Sequence, residues 1–284
     1  MNFDCNREIK IMGIVNITDD SFFSDSRCVG DEGVDMHKVK SEISQMLEDG
    51  ASIIDLGACS TRPGSASISE EGEWSRLEPV LHMVMREFPE VSFSIDTFRA
   101  SVVERAWAIF KDASLAKVPL IINDISAGED DPMMLPLVGR LGLPFIAMHK
   151  RGTPEVMQNF CDYPEGVVQG VYAYFHDFAA KAAANGIKEW ILDPGFGFSK
   201  TIQQNYDLLA GMDRFQDFGR EILVGVSRKS MIWRLFGISP HESLPETQVL
   251  HLEALQMGAS ILRVHDVLEA VHTREIYKRL NGLI

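Results

Sequence analysis

Cysteine is scarce in this 284-residue chain and shows no pattern: Cys5, Cys28, Cys59 and Cys161 lie far apart and form no C-x-x-C pair. That argues against a disulfide framework or a structural zinc site and fits a reducing compartment. Long apolar runs are also missing. No segment approaches eighteen uninterrupted apolar residues, and the opening MNFDCNREIK has no apolar h-region, so neither membrane insertion nor export is expected and a cytoplasmic location is. Basic charge is outnumbered, with 27 Lys and Arg against 41 Asp and Glu and a net charge of −14. A nucleic acid or an anionic membrane is therefore not expected as a partner, and an anionic ligand must be met by a local basic cluster. Neither G-x-x-x-x-G-K-[ST] nor a strand followed by G-x-G-x-x-G occurs, which leaves a P-loop or Rossmann nucleotide site unsupported. No linker rich in Pro, Gly or Ser interrupts the chain, so a single domain over 1–284 is expected.

What is present is an ordinary globular composition, 45% hydrophobic and 24% charged, arranged as a repetition. Eight short apolar runs, at 9–15, 51–57, 91–96, 118–125, 143–148, 189–193, 221–226 and 259–264, are near-continuous in Val, Ile and Leu. Runs of that kind are strands of a parallel sheet covered on both faces. Helical patterns lie between them. Val39, Ile43, Met46 and Leu47 recur at helical spacing before Gly50, and 164–185, 201–213, 245–257 and 266–280 read as helices. Eight βα units of about 35 residues predict a (β/α)8 TIM barrel, whose active site lies where the strands end.

The runs end on polar groups: Asn16, Asp55, Asp96, Asn123 with Asp124, His149, Asp193, Arg228 with Lys229, and Arg263 with His265. Singly, a carboxylate at a strand end serves equally well as a helix cap or an internal ion pair. Together, Asp96, Asn123 and Asp193 suit a flat heterocycle with adjacent N–H and NH2 donors. Arg62 in STRPGS, Lys229 in VSRKS, and Arg263 with His265 make a second, basic set. It suits a phosphate or diphosphate, or ring stacking by a guanidinium plane.

In family order, MGIVNIT (12–18), DLGACSTRPGS (55–65), SIDTFRA (94–100), INDISAG (122–128), MHKRGTP (148–154), LDPGFGFSK (192–200), VGVSRKS (224–230) and RVHDV (263–267) resemble dihydropteroate synthases over nearly the whole chain. The resemblance implies condensation of 6-hydroxymethyl-7,8-dihydropterin diphosphate with 4-aminobenzoate, in the folate pathway, with Mg2+ as cofactor. Asp96, Asn123, Asp193 and Lys229 match the residues that read the pterin, Arg263 stacks beside it, and Phe198 joins the substrate contacts. Thr61, Arg263 and His265 match diphosphate contacts, and Asn16 matches the residue associated with Mg2+ and the diphosphate. Arg62, Pro63 and Ser230 would lie near the aminobenzoate. Asp96, Lys229 and Arg263 are expected to carry the catalysis, and the loops 17–32 and 58–69 to order over the site.

Four positions depart from the family pattern. Asp19 replaces a proline beside the doubled Phe22 and Phe23, Cys59 a glutamate, Arg151 a glutamine and Ser199 a glycine. Alternatives kept open are a methyltetrahydrofolate–corrinoid methyltransferase, a catalytically silent pterin-binding protein, and a phosphosugar isomerase or aldolase barrel. Apolar residues on more than one face of 245–257 and 266–280, including Val249, Leu250, Leu252, Leu255 and Met257, suit core packing as well as an interface. The resemblance implies a homodimer through these late helices.

Overall fold

A computed structural model describes residues 8–18, 29–30, 33–59, 68–111, 118–153 and 156–283. Eight parallel strands run β1 (Lys10–Asn16), β2 (Ile53–Gly57), β3 (Ser92–Asp96), β4 (Ile121–Asp124), β5 (Phe145–Met148), β6 (Trp190–Asp193), β7 (Leu223–Val224) and β8 (Ile261–Val264). Their order in the sheet is β6-β5-β4-β3-β2-β1-β8-β7, and a parallel bridge between Leu192 and Ile222 joins the two edges into a barrel. Each falls inside its expected run except at β1, which extends one residue further. The seventh is much the shorter, because the chain leaves the ladder after Val224 for the turn that carries Lys229. A two-stranded ribbon, Val29–Gly30 with Gly33–Val34, was not expected.

The described helices are α1 (Met36–Glu48), α2 (Glu70–Glu87), α3 (Ala100–Phe110), α4 (Met134–Leu141), α5 (Val167–Ala184), α6 (Ile202–Ala210), α7 (Ser230–Phe236), α8 (Leu244–Gln256) and α9 (Val267–Leu280). Local chemistry starts them where they start. Asp35 accepts from the Lys38 N–H at 3.0 Å, Ser69 caps α2 behind the acidic turn Glu70, Glu71 and Glu73, and Thr201 with Gln204 forms a capping box on α6. The expected helix 201–213 is α6 followed by a 3-10 segment, Met212–Phe218.

Alternation sorts the strand side chains into two populations. Met12, Ile53, Ile121, Ile146, Ile191, Leu223 and Ile261 form one buried layer inside the barrel. The intervening residues, such as Ile11, Val15, Ile54, Leu56, Phe93 and Ile95, belong to the larger core beneath the helices. Two residues further along the inward face, apolar side chains give way to Asp55, Asn123, Asp193 and Arg263. The barrel is thus plugged below by hydrocarbon and polar above, at the C-terminal ends of its strands.

Candidate active site

Strand register brings the first group together. Asp96 ends β3, paired with Gly57 on one side and with Asn123 on the other. Gly57 leaves space there: a Cβ at this position would lie 3.6 Å from that of Asp96. Arg263 reaches across from β8, donating from Nε to Asp55 Oδ2 at 2.7 Å and from Nη2 to Asp96 Oδ2 at 2.9 Å. Asn123 Nδ2 donates to the same Asp55 oxygen at 3.1 Å.

Asp55 is fully buried, and its Oδ1 has no partner among the described residues. Two carboxylates in so small a space are compatible only because a guanidinium lies between them. Burial, with Arg263 opposing and Asp55, Asp124 and Glu73 adding to it, pushes Asp96 up to about 7. For Arg263, burial works against the charge, yet Asp55 and Asp96 hold it above the ordinary arginine value. With Nε and Nη2 engaged by carboxylates, the guanidinium has its flat faces and the N–H groups of Nη1 left to offer.

The second group hangs from β6 and the turn after it. Asp193 ends β6 and accepts the Gly195 N–H at 2.8 Å. Burial raises its carboxyl, and the Lys229 ammonium opposes that shift. Lys229 occupies the extended residue before α7, donates to the Phe196 carbonyl and sits 5.0 Å from the centre of the Phe198 ring. Burial lowers it to about 8, with Asp193 opposing. Gly225 keeps this corner open, since a Cβ there would lie 4.0 Å from Lys229 Nζ and 3.9 Å from Arg263 Cβ. Glycine is also required at 195, where φ is +71° and a Cβ would fall 1.9 Å from the His149 carbonyl oxygen.

A cavity of about 160 Å3 lies beside these groups, lined by Ile14, Asn16, Glu42, Arg228, His241, His265 and Asp266. His265 Nδ1 is 3.1 Å from Ser227 Oγ. Arg228 is a strut: it holds Asp266 bidentately at 2.7 and 2.6 Å and donates to the carbonyls of Pro240 and His241. Among the described residues no group of three His, Cys, Asp or Glu could by itself hold a metal ion. The oxygen of Asn16 and the carboxylate of Glu42 at the cavity suit a hard cation that draws its remaining ligands from water and phosphate, the habit of Mg2+, while both oxygens of Asp266 are taken by Arg228.

The structure therefore brings Asp96, Asn123, Asp193, Lys229, Phe198 and Arg263 into contact or charge range, with Asn16 and His265 beside them and Ser230 opening α7. Thr61, Arg62 and Pro63, and most of the loops 17–32 and 58–69, lie outside the described residues, as do Asp19, Phe22 and Phe23. Other run ends serve the scaffold. Asp124 accepts from the N–H groups of Ser126 (2.7 Å) and Gly128 (2.8 Å), and buried His149 lies 3.0 Å from Lys200 Nζ.

Two departures from the family pattern compensate each other. Ser199 is buried at φ +51°, a conformation that favours glycine, and its hydroxyl bonds both the N–H (2.7 Å) and the carbonyl (2.8 Å) of Arg151. Arg151 in turn lies 3.9 Å over the Tyr163 ring, whose hydroxyl donates to the Ser199 carbonyl at 3.1 Å. Cys59 is half-buried, and burial followed by the Glu73 carboxylate raises its thiol, which disfavours the reactive thiolate.

The sequence assigns no specific role to Asp55 or Lys200. A signal existed for Asp55, which lies two residues beyond Ile53 and so shares the inward face. Lys200 had none, because its partners are brought to it by a turn.

The family model of pterin-binding enzymes matches residues 12–265. The dihydropteroate synthase of Escherichia coli K12 is 39% identical over 269 residues, 94% of this chain and 89% of that one. The Haemophilus influenzae synthase is 38% identical over 91% of this chain and 89% of its own. A Yersinia pestis dihydropteroate synthase solved with a sulfonamide drug superposes with a TM-score of 0.87 at 33% identity, covering 99% of this chain and 97% of that one. A Xanthomonas albilineans synthase solved with 4-aminobenzoic acid gives 0.84 at 31%, covering 98% and 94%.

Proposed function

The chain belongs to the dihydropteroate synthase family, transferases of folate biosynthesis, and on that premise we propose how its barrel mouth joins 6-hydroxymethyl-7,8-dihydropterin diphosphate to 4-aminobenzoate. The observation that carries the reading is the Asp55–Arg263–Asp96 bridge with Asn123, Asp193 and Lys229 around it. Asp96, Asn123 and Asp193 receive the donor-rich edge of the pterin, Lys229 meets its carbonyl side, Phe198 and the Arg263 plane bound the ring. Asn16, Thr61 and His265 serve the diphosphate with Arg263, and Arg62, Pro63 and Ser230 the aminobenzoate.

The substitution is dissociative. As the C–O bond breaks, its electron pair leaves with the diphosphate, and positive charge grows on the pterin methylene and spreads into the ring. Ionised Asp96 and Asp193 stabilise that charge through a low-dielectric site in which they are already oriented. The aromatic amine then forms the C–N bond and gives up a proton to the released diphosphate or to water. His265 and the amide of Asn16 donate to the departing oxygens. Mg2+, held by Asn16 with the diphosphate, supplies charge neutralisation of the leaving group when bound.

Residues 1–284 are read as one domain acting in the cytoplasm, and as a homodimer through the late helices. That assembly is supported by exposed apolar residues on them, Val249, Ile276 and Leu280. No described helix is long and apolar enough to cross a membrane. The methyltransferase alternative is set aside, because relatives at 38 and 39% identity are synthases. Sustained diphosphate release that requires Mg2+ and is matched by 7,8-dihydropteroate formed from 4-aminobenzoate is the expected result with purified protein, and steady release indifferent to the amine would refute the reading.

A further inference from the structure

The turn between β6 and α6 carries three left-handed residues in alternation, Gly195 at φ +71°, Gly197 at +83° and Ser199 at +51°. Three of its carbonyls are received by ammonium groups, that of buried Lys200 and that of half-buried Lys229. Lys200, 3% exposed, donates to Gly195 O at 2.9 Å and Phe198 O at 3.0 Å, and its third proton points to His149 Nδ1 at 3.0 Å. Lys229 takes the carbonyl between them, that of Phe196. Each ammonium proton of Lys200 is thus spent inside the protein.

The partners of Lys200 are the supports of the ring-binding groups. Gly195, whose carbonyl it holds, gives its N–H to the carboxylate of Asp193. Phe198, whose carbonyl it also holds, carries the ring beneath Lys229. His149 anchors the assembly to β5, since its backbone N–H donates to the Asp193 carbonyl at 3.0 Å and its ring packs perpendicular to that of Tyr174 with centroids 4.9 Å apart. Burial, then the neighbouring cations Lys200 and Arg151, hold His149 well below the usual imidazole range, so its Nδ1 is free to accept. Burying an ammonium is costly unless every proton is matched, and an apolar side chain would fill the same space without that cost. Here the matched acceptors all belong to the turn or to its anchor.

We propose that Lys200, acting with His149, is a positioning residue for pterin recognition that holds Asp193, Phe198 and the carbonyl partner of Lys229 in one arrangement. This rests on the assignment of those groups to the pterin under Proposed function. Lys200 touches no substrate in this scheme. Its loss leaves Phe198 O without its partner and Gly195 O with the Phe198 N–H alone, at 3.1 Å, which frees the turn and lets the Asp193 carboxylate move.

The test uses the full chain and 6-hydroxymethyl-7,8-dihydropterin diphosphate, with KM measured separately for each substrate. Lys200→Met should raise the KM for the pterin diphosphate about 10-fold or more and leave that for 4-aminobenzoate within about 2-fold. An equal change in both constants, or none in a folded variant, overturns the proposal. Should Lys200→Met fail to fold, a second pair decides. His149→Leu removes one acceptor and should weaken pterin binding several-fold, whereas His149→Gln retains an acceptor and should stay near wild type. Equal behaviour of the two also overturns it. Asp193→Ala serves as the separate control: retained pterin affinity there sinks the site assignment, while lost affinity there with an unaffected Lys200→Met sinks only the role of Lys200.

Discussion

At the residue scale the two carboxylates on Arg263 do different work. Asp96 lies at the mouth, 14% exposed at its side chain, while Asp55 is wholly enclosed and aims Arg263 and Asn123 from below. Asp55→Asn removes the charge that anchors Arg263 but keeps the shape. It should lower kcat/KM for the pterin diphosphate by about 10- to 100-fold, because breaking a buried pair leaves the other charge uncompensated. An unchanged kcat/KM would show that Asp96 alone suffices. The pH dependence follows from the shifted groups. Asp96 must be ionised to stabilise a cation, and Lys229 must be protonated to donate. In the free protein these titrate at about 7 and about 8, so kcat/KM for the pterin substrate should rise through about pH 7 and fall above about pH 8. A profile flat across that range would refute it. Stability moves the other way on the acid side. Since the folded value of Asp96 lies above the ordinary 3.8, its contribution is present in acid and is lost as pH rises toward 7, and Asp96→Asn should flatten that slope in denaturant titrations. Of these residues, Asp96, Asn123 and Asp193 were legible as strand ends, whereas the sharing of Arg263 between two acids was not, because it joins β2, β3 and β8 across more than 160 positions of sequence.

At the scale of elements, the strands were legible because a parallel strand buried on both faces must be apolar throughout, and such runs stand out. The seventh is the exception. The apolar stretch 221–226 is longer than its ladder, since Gly225 and Val226 already belong to the turn in which Arg228 adopts φ +52°. The β6–α6 turn is held by a different device. Ser199 stands in a glycine-favouring conformation and offsets that strain with two hydrogen bonds to Arg151. Ser199→Ala keeps the strain and loses both bonds, which should cost about 1–3 kcal/mol. Ser199→Gly loses the bonds but also the strain, and should cost less. Thermal unfolding should therefore rank wild type above Ser199→Gly and Ser199→Ala last, and the reverse order of the two variants would show that the hydroxyl contributes little. From sequence alone Ser199 was a bare departure from the family pattern, because its compensation lies 48 residues away.

At the scale of the whole molecule, a ring closed at one place by the Leu192–Ile222 bridge carries α7, α8 and α9 on neighbouring units, with α8 packed against α9. Val249 is 66% exposed and Leu280 68%. A dimer using this surface should show twice the chain mass by sedimentation at micromolar concentration, and Val249→Glu combined with Ile276→Glu should return it to monomer without unfolding the barrel. A monomeric wild type would remove the proposed assembly. The net charge of −14 means that a polyanionic substrate must be met by a local basic cluster. The sequence by itself determined the eightfold alternation, the rim of polar strand ends and the family, since each depends on composition and spacing that persist along the chain. Only the tertiary structure decided which of those ends face a ligand and which hold the scaffold. Asp55 beneath Arg263, Asp124 capping its own turn and Lys200 beside His149 are alike in sequence as polar groups after or within apolar runs. They separate only once closure of the barrel sets their burial and partners, and with these the cost of each charge.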